Sequence, residues 1–182
     1  VGMLHTCFNM YRILAHQKYD LLLNVGIAGT FNESFPMGEV LQIFSEQIGD
    51  LGAETPNDFI PIREMPFFDA DKFPYKNGVL YNKNITHLKS IQSLKKASSI
   101  SVNKVSGSRA TIDQQIKYFE ADIENMEGAA FFYVCLMLNI PFYEIRAISN
   151  VVEVRNKNNW DISLAIKKLT LTLVEIVEEI SI

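Results

Sequence analysis

The sequence has few of the features that mark secreted or membrane proteins. Its two cysteines, Cys7 and Cys135, each lie in an apolar helical pattern, which predicts buried free thiols in a reducing compartment. No apolar run is long enough to span a bilayer, and residues 1–5 have neither the basic region nor the cleavage pattern of a secretory signal. We therefore expect a cytoplasmic protein that has no membrane partner.

Basic residues and histidines are also scarce. The 17 lysines and arginines are outnumbered by 21 acidic residues, the formal net charge is −4, and no Lys/Arg stripe is present, so we predict no nucleic-acid partner. His5 and His16 do not share one helix face at the spacing of metal ligands, and His87 is isolated in a polar stretch. We expect neither a metal site nor a cofactor.

What the chain does contain is typical of one globular domain over residues 1–182. Of its 182 residues, 48% are hydrophobic and 21% charged, and no linker or repeat divides them. Hydrophobic patterning predicts helices over 3–19, 109–119, 129–138 and 160–179, and strands over 20–27, 39–47, 98–105 and 142–148. This alternation predicts an α/β fold with a mixed, largely parallel central sheet that is flanked by helices.

Both terminal helices have an apolar face at helical spacing. In the first helix this face consists of Met3, Leu4, Cys7, Phe8, Tyr11, Leu14 and Ala15. In the last helix the face that we expect to contact the core consists of Ile162, Ala165, Ile166, Leu169, Leu173, Ile176, Val177 and Ile180. Between the sheet segments, residues 55–84 are rich in proline and aromatic residues and show little periodicity, which is typical of lids and partner contacts.

A turn of small residues, 26–30, follows the buried strand predicted over 20–27. Glycine and alanine at this point would let a ligand approach the backbone closely, but a tight strand exit would use the same residues, so both interpretations stay open. The turn is not a P-loop, because the Gly-Lys-Ser/Thr ending is missing, and it is not a dinucleotide-binding fingerprint.

Residues 122–150 predict a strand, a helix and a second strand. This segment is mostly apolar, but it contains three polar residues that could form a site. Glu127 lies where the first strand gives way to the helix, and Arg146 and Asn150 are predicted near the carboxyl end of the second strand. Ligands of open α/β sheets bind outside the carboxyl ends of strands, so this set favours a site for a polyhydroxylated ligand. Alternatively, Glu127 complements the helix dipole and Arg146 is its structural ion-pair partner.

Four stretches resemble the purine nucleoside phosphorylase/nucleosidase superfamily in their amino-acid sequence, order and spacing: residues 24–29 (NVGIAG), 49–54 (GDLGAE), 124–130 (ENMEGAA) and 140–150 (IPFYEIRAISN). The resemblance covers nearly the whole chain. Residues 148–155 (ISNVVEVR), with Trp160 beyond them, are similar to the futalosine hydrolase branch in particular.

The resemblance implies hydrolysis of the N-glycosidic bond of a 6-oxopurine nucleoside, namely futalosine in menaquinone biosynthesis. Glu127 would hold the sugar hydroxyls and stabilise the positive charge that develops on the sugar, and Arg146 would orient Glu127 or a hydroxyl. The resemblance also implies further substrate-binding residues along the sugar, near the attacking water and beside the base: Ala28, Gly29, Val105, Gly107, Met126 and Ser149. It further implies a homo-oligomer, with residues 66–81 as the candidate contact.

Asn150 carries the prediction of base specificity. Adenine-specific members of the superfamily have aspartate at this position, which can protonate N7 of the purine. An asparagine amide cannot act as a general acid, but it can accept from a protonated N7 and donate to a carbonyl at position 6. The competing interpretation is that Asn150 is only a turn residue after a strand.

The chain departs from the superfamily pattern in two ways. The family begins with a strand and a loop that supplies a water-positioning acid, and we expect this chain to start after that region, without those strands. Residues 24–30 contain no arginine of the kind that phosphorylases use to hold phosphate, which favours hydrolysis. Two alternatives remain: a methylthioadenosine/S-adenosylhomocysteine nucleosidase, and a catalytically silent domain that binds a nucleoside.

Overall fold

The computed structural model describes residues 1–181. Its helices are α1 (Met3–Leu14), α2 (Lys89–Gln92), α3 (Arg109–Phe119), α4 (Gly128–Leu138) and α5 (Ile162–Ile180). Its strands are β1 (Leu22–Thr30), β2 (Val40–Ile48), β3 (Gly52–Glu54), β4 (Phe59–Pro61), β5 (Tyr75–Lys76), β6 (Val79–Tyr81), β7 (Lys95–Ser101), β8 (Ile123–Asn125) and β9 (Phe142–Val151). Two short 3₁₀ helices cover Ile62–Glu64 and Lys157–Asn159.

Seven strands form one sheet in the order β5-β6-β2-β7-β8-β1-β9, and β9 pairs again with β2. Five of the strands therefore close into a ring: β2, β7, β8, β1 and β9. The two longest ladders, β1 with β9 and β2 with β7, are parallel, whereas β9 meets β2 and β8 meets β1 in antiparallel fashion. The prediction of a mixed, largely parallel α/β sheet is confirmed.

Alternation along β9 explains how one strand serves both the core and a polar site. Tyr143, Ile145 and Ala147 point to α5, where they pack with Ala165 and Leu169 in one apolar cluster. Successive side chains of a strand point to opposite faces, so the residues between them face the other way, towards α4: Glu144 and Arg146. Burial of the apolar face thus fixes the direction of the polar one.

The positions of α3, α4 and α5 agree with the predictions from hydrophobic spacing, but the buried face of α5 agrees only in part. α3 and α4 form where the sequence predicts helices, and α4 can pack between the ring and α1 because it has no charged side chain on any side. In α5, Ala165, Leu169 and Ile176 are buried as predicted. The wider apolar face predicted for α5 is wrong in part, since four of its residues are 41–54% exposed: Ile162, Ile166, Val177 and Ile180.

The N-terminal helix differs most from the prediction. It ends at Leu14 rather than at residue 19, and none of its residues is buried. Met3 and Met10 contact the core, whereas Leu4, Phe8 and Tyr11 are exposed, and Cys7 is half-buried. Cys135 is buried and free, as predicted.

Two other segments also differ from their predictions. The strand predicted over 98–105 lies at Lys95–Ser101, and residues 55–84 contain the short strands β4, β5 and β6. The subunit contact at 66–81 stays a prediction. Across residues 1–181, no helix combines the length and apolar character that crossing a membrane requires.

Removing one buried side chain between the ring and α5 tests this packing. We expect Ile145→Ala to lower the free energy of unfolding by about 2–5 kcal/mol, because Ile145 is fully buried and a cavity would remain. Urea denaturation measures the change. The control is Leu171→Ala on α5, where the side chain is 55% exposed and the expected loss is below about 1 kcal/mol. Equal losses would contradict the packing described above.

Candidate active site

A cavity of about 560 Å³ opens beside β1, the junction of β8 with α4, and the second half of β9. This volume lies in the range of small-molecule sites. The residues that line it include most of the predicted site: Ala28, Gly29, Val105, Met126, Glu127, Arg146, Ser149 and Asn150. Gly107 is not one of the lining residues, but its carbonyl accepts the backbone N–H of Arg155, which is one, at 3.1 Å.

A bulge between β1 and β9 aims Asn150 at the cavity. Ala28 pairs with Ile148, but the next pair joins Gly29 to Asn150, so Ser149 is an extra residue. The Ser149 hydroxyl lies 3.2 Å from the Ala28 carbonyl and 2.9 Å from Asn150 Oδ1, which ties the bulge together. Bulges re-aim side chains next to active sites. Here the bulge brings Asn150 to the cavity wall at the end of the strand, as predicted.

Gly29 leaves the space that Asn150 occupies. A Cβ at Gly29 would lie 3.0 Å from Asn150 Nδ2 and 2.9 Å from Val152 Cγ2, which is too close for an ordinary contact. Asn150 Nδ2 donates to the Val151 carbonyl at 3.0 Å. Because an amide has two N–H groups and two lone pairs on oxygen, one donor and one acceptor position remain for a ligand.

Glu127 is the N-cap residue of α4, as its position between strand and helix predicts. Its backbone is held by Asn125, whose Oδ1 accepts the N–H groups of Glu127 at 2.8 Å and Gly128 at 2.7 Å. The Glu127 carboxylate accepts the N–H of Gly2 at 3.1 Å and pairs with Arg146 Nη1 at 3.4 Å. Its side chain remains 22% exposed, so it can still reach a ligand in the cavity.

Arg146 lies in the middle of β9 rather than near its carboxyl end, which corrects the predicted position. Its guanidinium is buried and donates through Nε to Glu144 Oε1 at 2.6 Å. Burial raises the pKa of Glu144, and the charge of Arg146 offsets part of that effect. Among residues 1–181, Arg146 Nη2 is buried without a hydrogen-bond partner.

Two acidic residues of the site were missed in the sequence. Glu144 is fully buried and pairs with Arg146, and Glu124 lines the cavity, where both its carboxylate oxygens accept the Ser106 N–H, at 3.0 and 3.2 Å. Burial raises the pKa of Glu124. An acidic residue between apolar neighbours of a predicted strand is the signal that could have identified Glu144, whereas β8 has only three residues and gives no such signal for Glu124.

Two further residues close the end of the cavity that contains Asn150. The Arg155 guanidinium lies 5.6 Å from the centre of the Trp160 ring, a distance at which a cation and an aromatic face attract each other. Both side chains line the cavity. The sequence had singled out these positions only as part of a family resemblance.

The room for Arg146 comes from Gly26, and this dependence can be tested. A Cβ at Gly26 would collide with Arg146 Nη1 and lie 3.3 Å from Cζ. We expect Gly26→Ala to lower the free energy of unfolding by about 3 kcal/mol, because a displaced guanidinium leaves Glu144 buried without its partner. Denaturant titration measures the loss.

The matched control repeats Gly26→Ala in an Arg146→Met, Glu144→Gln background. The methionine is too short to reach the position of Nη1, and the carboxylate that remains without its cation, that of Glu127, is partly exposed rather than buried. The added methyl group should therefore cost little there. An equal loss in both backgrounds would show that Gly26 does not act through Arg146.

Comparison with known proteins places these features in a family. A family model described as the Phosphorylase superfamily matches residues 2–180. The futalosine hydrolase of Streptomyces coelicolor is 28% identical over 156 residues, a match that covers 85% of this chain and 63% of that protein. The chain thus spans less than two thirds of that relative.

Solved structures agree with the family assignment at the level of the fold. The futalosine hydrolase of Helicobacter pylori has a TM-score of 0.78 at 17% identity, covering 98% of this chain and 76% of that one. A methylthioadenosine/S-adenosylhomocysteine nucleosidase of Colwellia psychrerythraea, in complex with adenine, has a TM-score of 0.72 at 17% identity, covering 98% and 75%. The predicted superfamily is therefore confirmed: the chain belongs to the phosphorylase superfamily.

Proposed function

We propose that this chain is a nucleosidase, which hydrolyses the N-glycosidic bond of a purine nucleoside, and that its substrate is the 6-oxopurine nucleoside futalosine. One observation carries the proposal. A single cavity has the Glu127–Arg146 pair on its wall together with Asn150, in a member of the phosphorylase superfamily. The relatives named as futalosine hydrolases and as nucleosidases support the class of reaction.

Glu127 suits the sugar end of such a substrate. Cleavage of an N-glycosidic bond passes through a state in which the ribosyl group carries positive charge. A partly exposed carboxylate, held in place by the start of α4, can accept hydrogen bonds from two sugar hydroxyls and stabilise that charge. Arg146 keeps the carboxylate oriented through its Nη1 group, which lies 3.4 Å from Glu127 Oε2.

Asn150 suits the base end and favours a 6-oxopurine. The base departs with electron density on its ring, and a proton that N7 takes up from water neutralises it, while the attacking water gives up one proton to solvent. The free lone pair of Asn150 Oδ1 can accept from N7–H, and the free N–H can donate to a carbonyl at position 6. An amino group at position 6 would meet a donor with another donor, so adenine would bind less well.

Water is the proposed nucleophile. Residues 24–30 lie within β1, which continues past the strand end predicted at residue 27, and they contain no arginine that could hold phosphate. Arg146 is occupied by two carboxylates, and Arg155 packs over Trp160. An adenine nucleosidase is the second candidate, because a neighbour of similar fold was crystallised with adenine. A silent nucleoside-binding domain is the third outcome that experiment has to separate.

Product analysis tests the proposal directly. We expect the full-length protein to release hypoxanthine from futalosine at the same rate with and without phosphate, and to release little adenine from methylthioadenosine. Chromatography of the products measures this. Glu127→Ala should reduce turnover by about a hundredfold or more while the folded fraction stays unchanged. Adenine as the main product would favour the second candidate, and ligand binding without release of any base would favour the third.

Changing the amide at the base end should change the preferred base. We expect Asn150→Asp to lower hypoxanthine release and to raise adenine release, shifting the ratio of their kcat/KM values by about tenfold or more, because aspartic acid can protonate N7. The measurement compares futalosine with methylthioadenosine for both proteins. Ser149→Ala serves as a neighbouring control, since it loosens the bulge without adding an acid. An unchanged ratio of the two kcat/KM values would mean that Asn150 does not determine the specificity for the base.

A further inference from the structure

A second acidic cluster lies behind the cavity wall, beneath the start of α4. Glu46 of β2 is fully buried and does not line the cavity. Asn125 Nδ2 donates to Glu46 Oε1 at 2.6 Å, and the Ser101 hydroxyl lies 2.9 Å from Glu46 Oε2. The proposed reaction does not use this carboxyl group, although Asn125 hydrogen-bonds both to it and to the backbone N–H of Glu127.

Glu46 and Glu144 converge on the same point of the backbone. A Cβ at Gly128 would collide with Glu46 Oε1 and lie 2.7 Å from Glu144 Oε1. Within residues 1–181, the guanidinium at this place is that of Arg146, which donates to Glu144 and Glu127. A second buried carboxylate here would face Glu144 with no cation of its own, which is a costly arrangement.

The groups around Glu46 agree with a neutral acid. Burial, and then the charge of Glu144, raise the pKa of Glu46 well above its ordinary value, more than its hydrogen bonds lower it. From β7, Ser99 and Ser101 face the cluster, and from α4 burial raises the pKa of the Cys135 thiol to about 12, so that this thiol is neutral too.

A proton on Glu46 Oε2 finds an acceptor within hydrogen-bond distance, the Ser101 hydroxyl. Ser101 Oγ accepts the N–H of Ala129 at 2.7 Å and can also accept a proton from Glu46 Oε2. Its own hydroxyl proton then points to Asn125 Oδ1 at 3.2 Å, the atom that also accepts the N–H groups of Glu127 and Gly128. The chain of contacts thus runs from Glu46 to the backbone of Glu127.

We propose that Glu46 is a positioning residue, buried as the neutral acid, whose hydrogen bonds to Asn125 and Ser101 hold Glu127 where its carboxylate meets the sugar. Its effect on turnover rests on the proposed function, whereas its protonation does not. Loss of the proton would place a negative charge beside Glu144 and below the start of α4, and would disturb the position of Glu127.

Kinetics of three variants of the full-length protein test the positioning role. Glu46→Gln can accept from Asn125 and donate to Ser101 as the neutral acid does, so kcat and KM should stay within about threefold of the wild type. Glu46→Met breaks both hydrogen bonds and should lower kcat by about tenfold or more. The control is Gln47→Met, which loses bonds to Phe119 and Arg63 on the other side of the same strand. It should lose stability but keep kcat.

The pH dependence adds a readout that a purely structural role would not change. A folded-state pKa above that of the unfolded chain means that the stabilising contribution of Glu46 is complete below the unfolded value. It is lost as pH rises through the folded value. The wild type should therefore lose stability relative to Glu46→Gln as pH rises, and its kcat should fall at alkaline pH where that of Glu46→Gln does not. The Gln47→Met profile should follow the wild type.

The outcomes separate the two proposals. If Glu46→Gln folds but is as slow as Glu46→Met, Glu46 acts as a carboxylate. If kcat is unchanged in Glu46→Met, Glu46 does not position Glu127. Either result overturns the inference. A wild type that releases no base defeats the proposed function instead. In that case a stability difference between wild type and Glu46→Gln that is constant from about pH 5 to 9 would overturn the inference about Glu46.

Discussion

The buried ion pairs of Arg146 are the interaction on which the site depends. A guanidinium that leaves water has to be matched by carboxylates and hydrogen bonds, and here Glu144 and Glu127 supply them. The pairs join β9 to the N-cap residue of α4, and Gly26 of β1 leaves the space for them. The guanidinium of Arg146 therefore holds β1, β9 and the start of α4 in their relative positions, and these elements form the wall of the cavity.

Closure of the strands into a ring gives the acidic residues different environments. Glu127 lies at the rim, partly exposed and beside a cation, where a carboxylate can meet a ligand. Glu46 lies inside, where burial and a neighbouring acid oppose ionisation. The difference in burial thus suits the Glu127 carboxylate to ligand binding and the Glu46 carboxyl group to a structural role. Segment 125–128 connects the two residues through hydrogen bonds.

Local patterns predicted much of this structure, and contacts distant in sequence account for what they missed. α3 begins and ends as its apolar spacing predicts, and Glu127 lies at the predicted junction of strand and helix. Periodicity indicates which residues share a face but not what covers that face, which is why the apolar side of α1 was misread. The Glu46 cluster joins β2, β7, β8 and β9, and no spacing within one element could have indicated it.

The bulge at Ser149 has a consequence for how this protein can vary in evolution. In the parallel pair of β1 and β9, the side-chain period is two, so a change in length by one residue turns every following side chain to the opposite face. Insertion or deletion between Gly26 and Gly29, or between Arg146 and Asn150, would exchange the polar site for the apolar core. These two segments can therefore not accept gaps, and an alignment of true relatives should run through both without interruption.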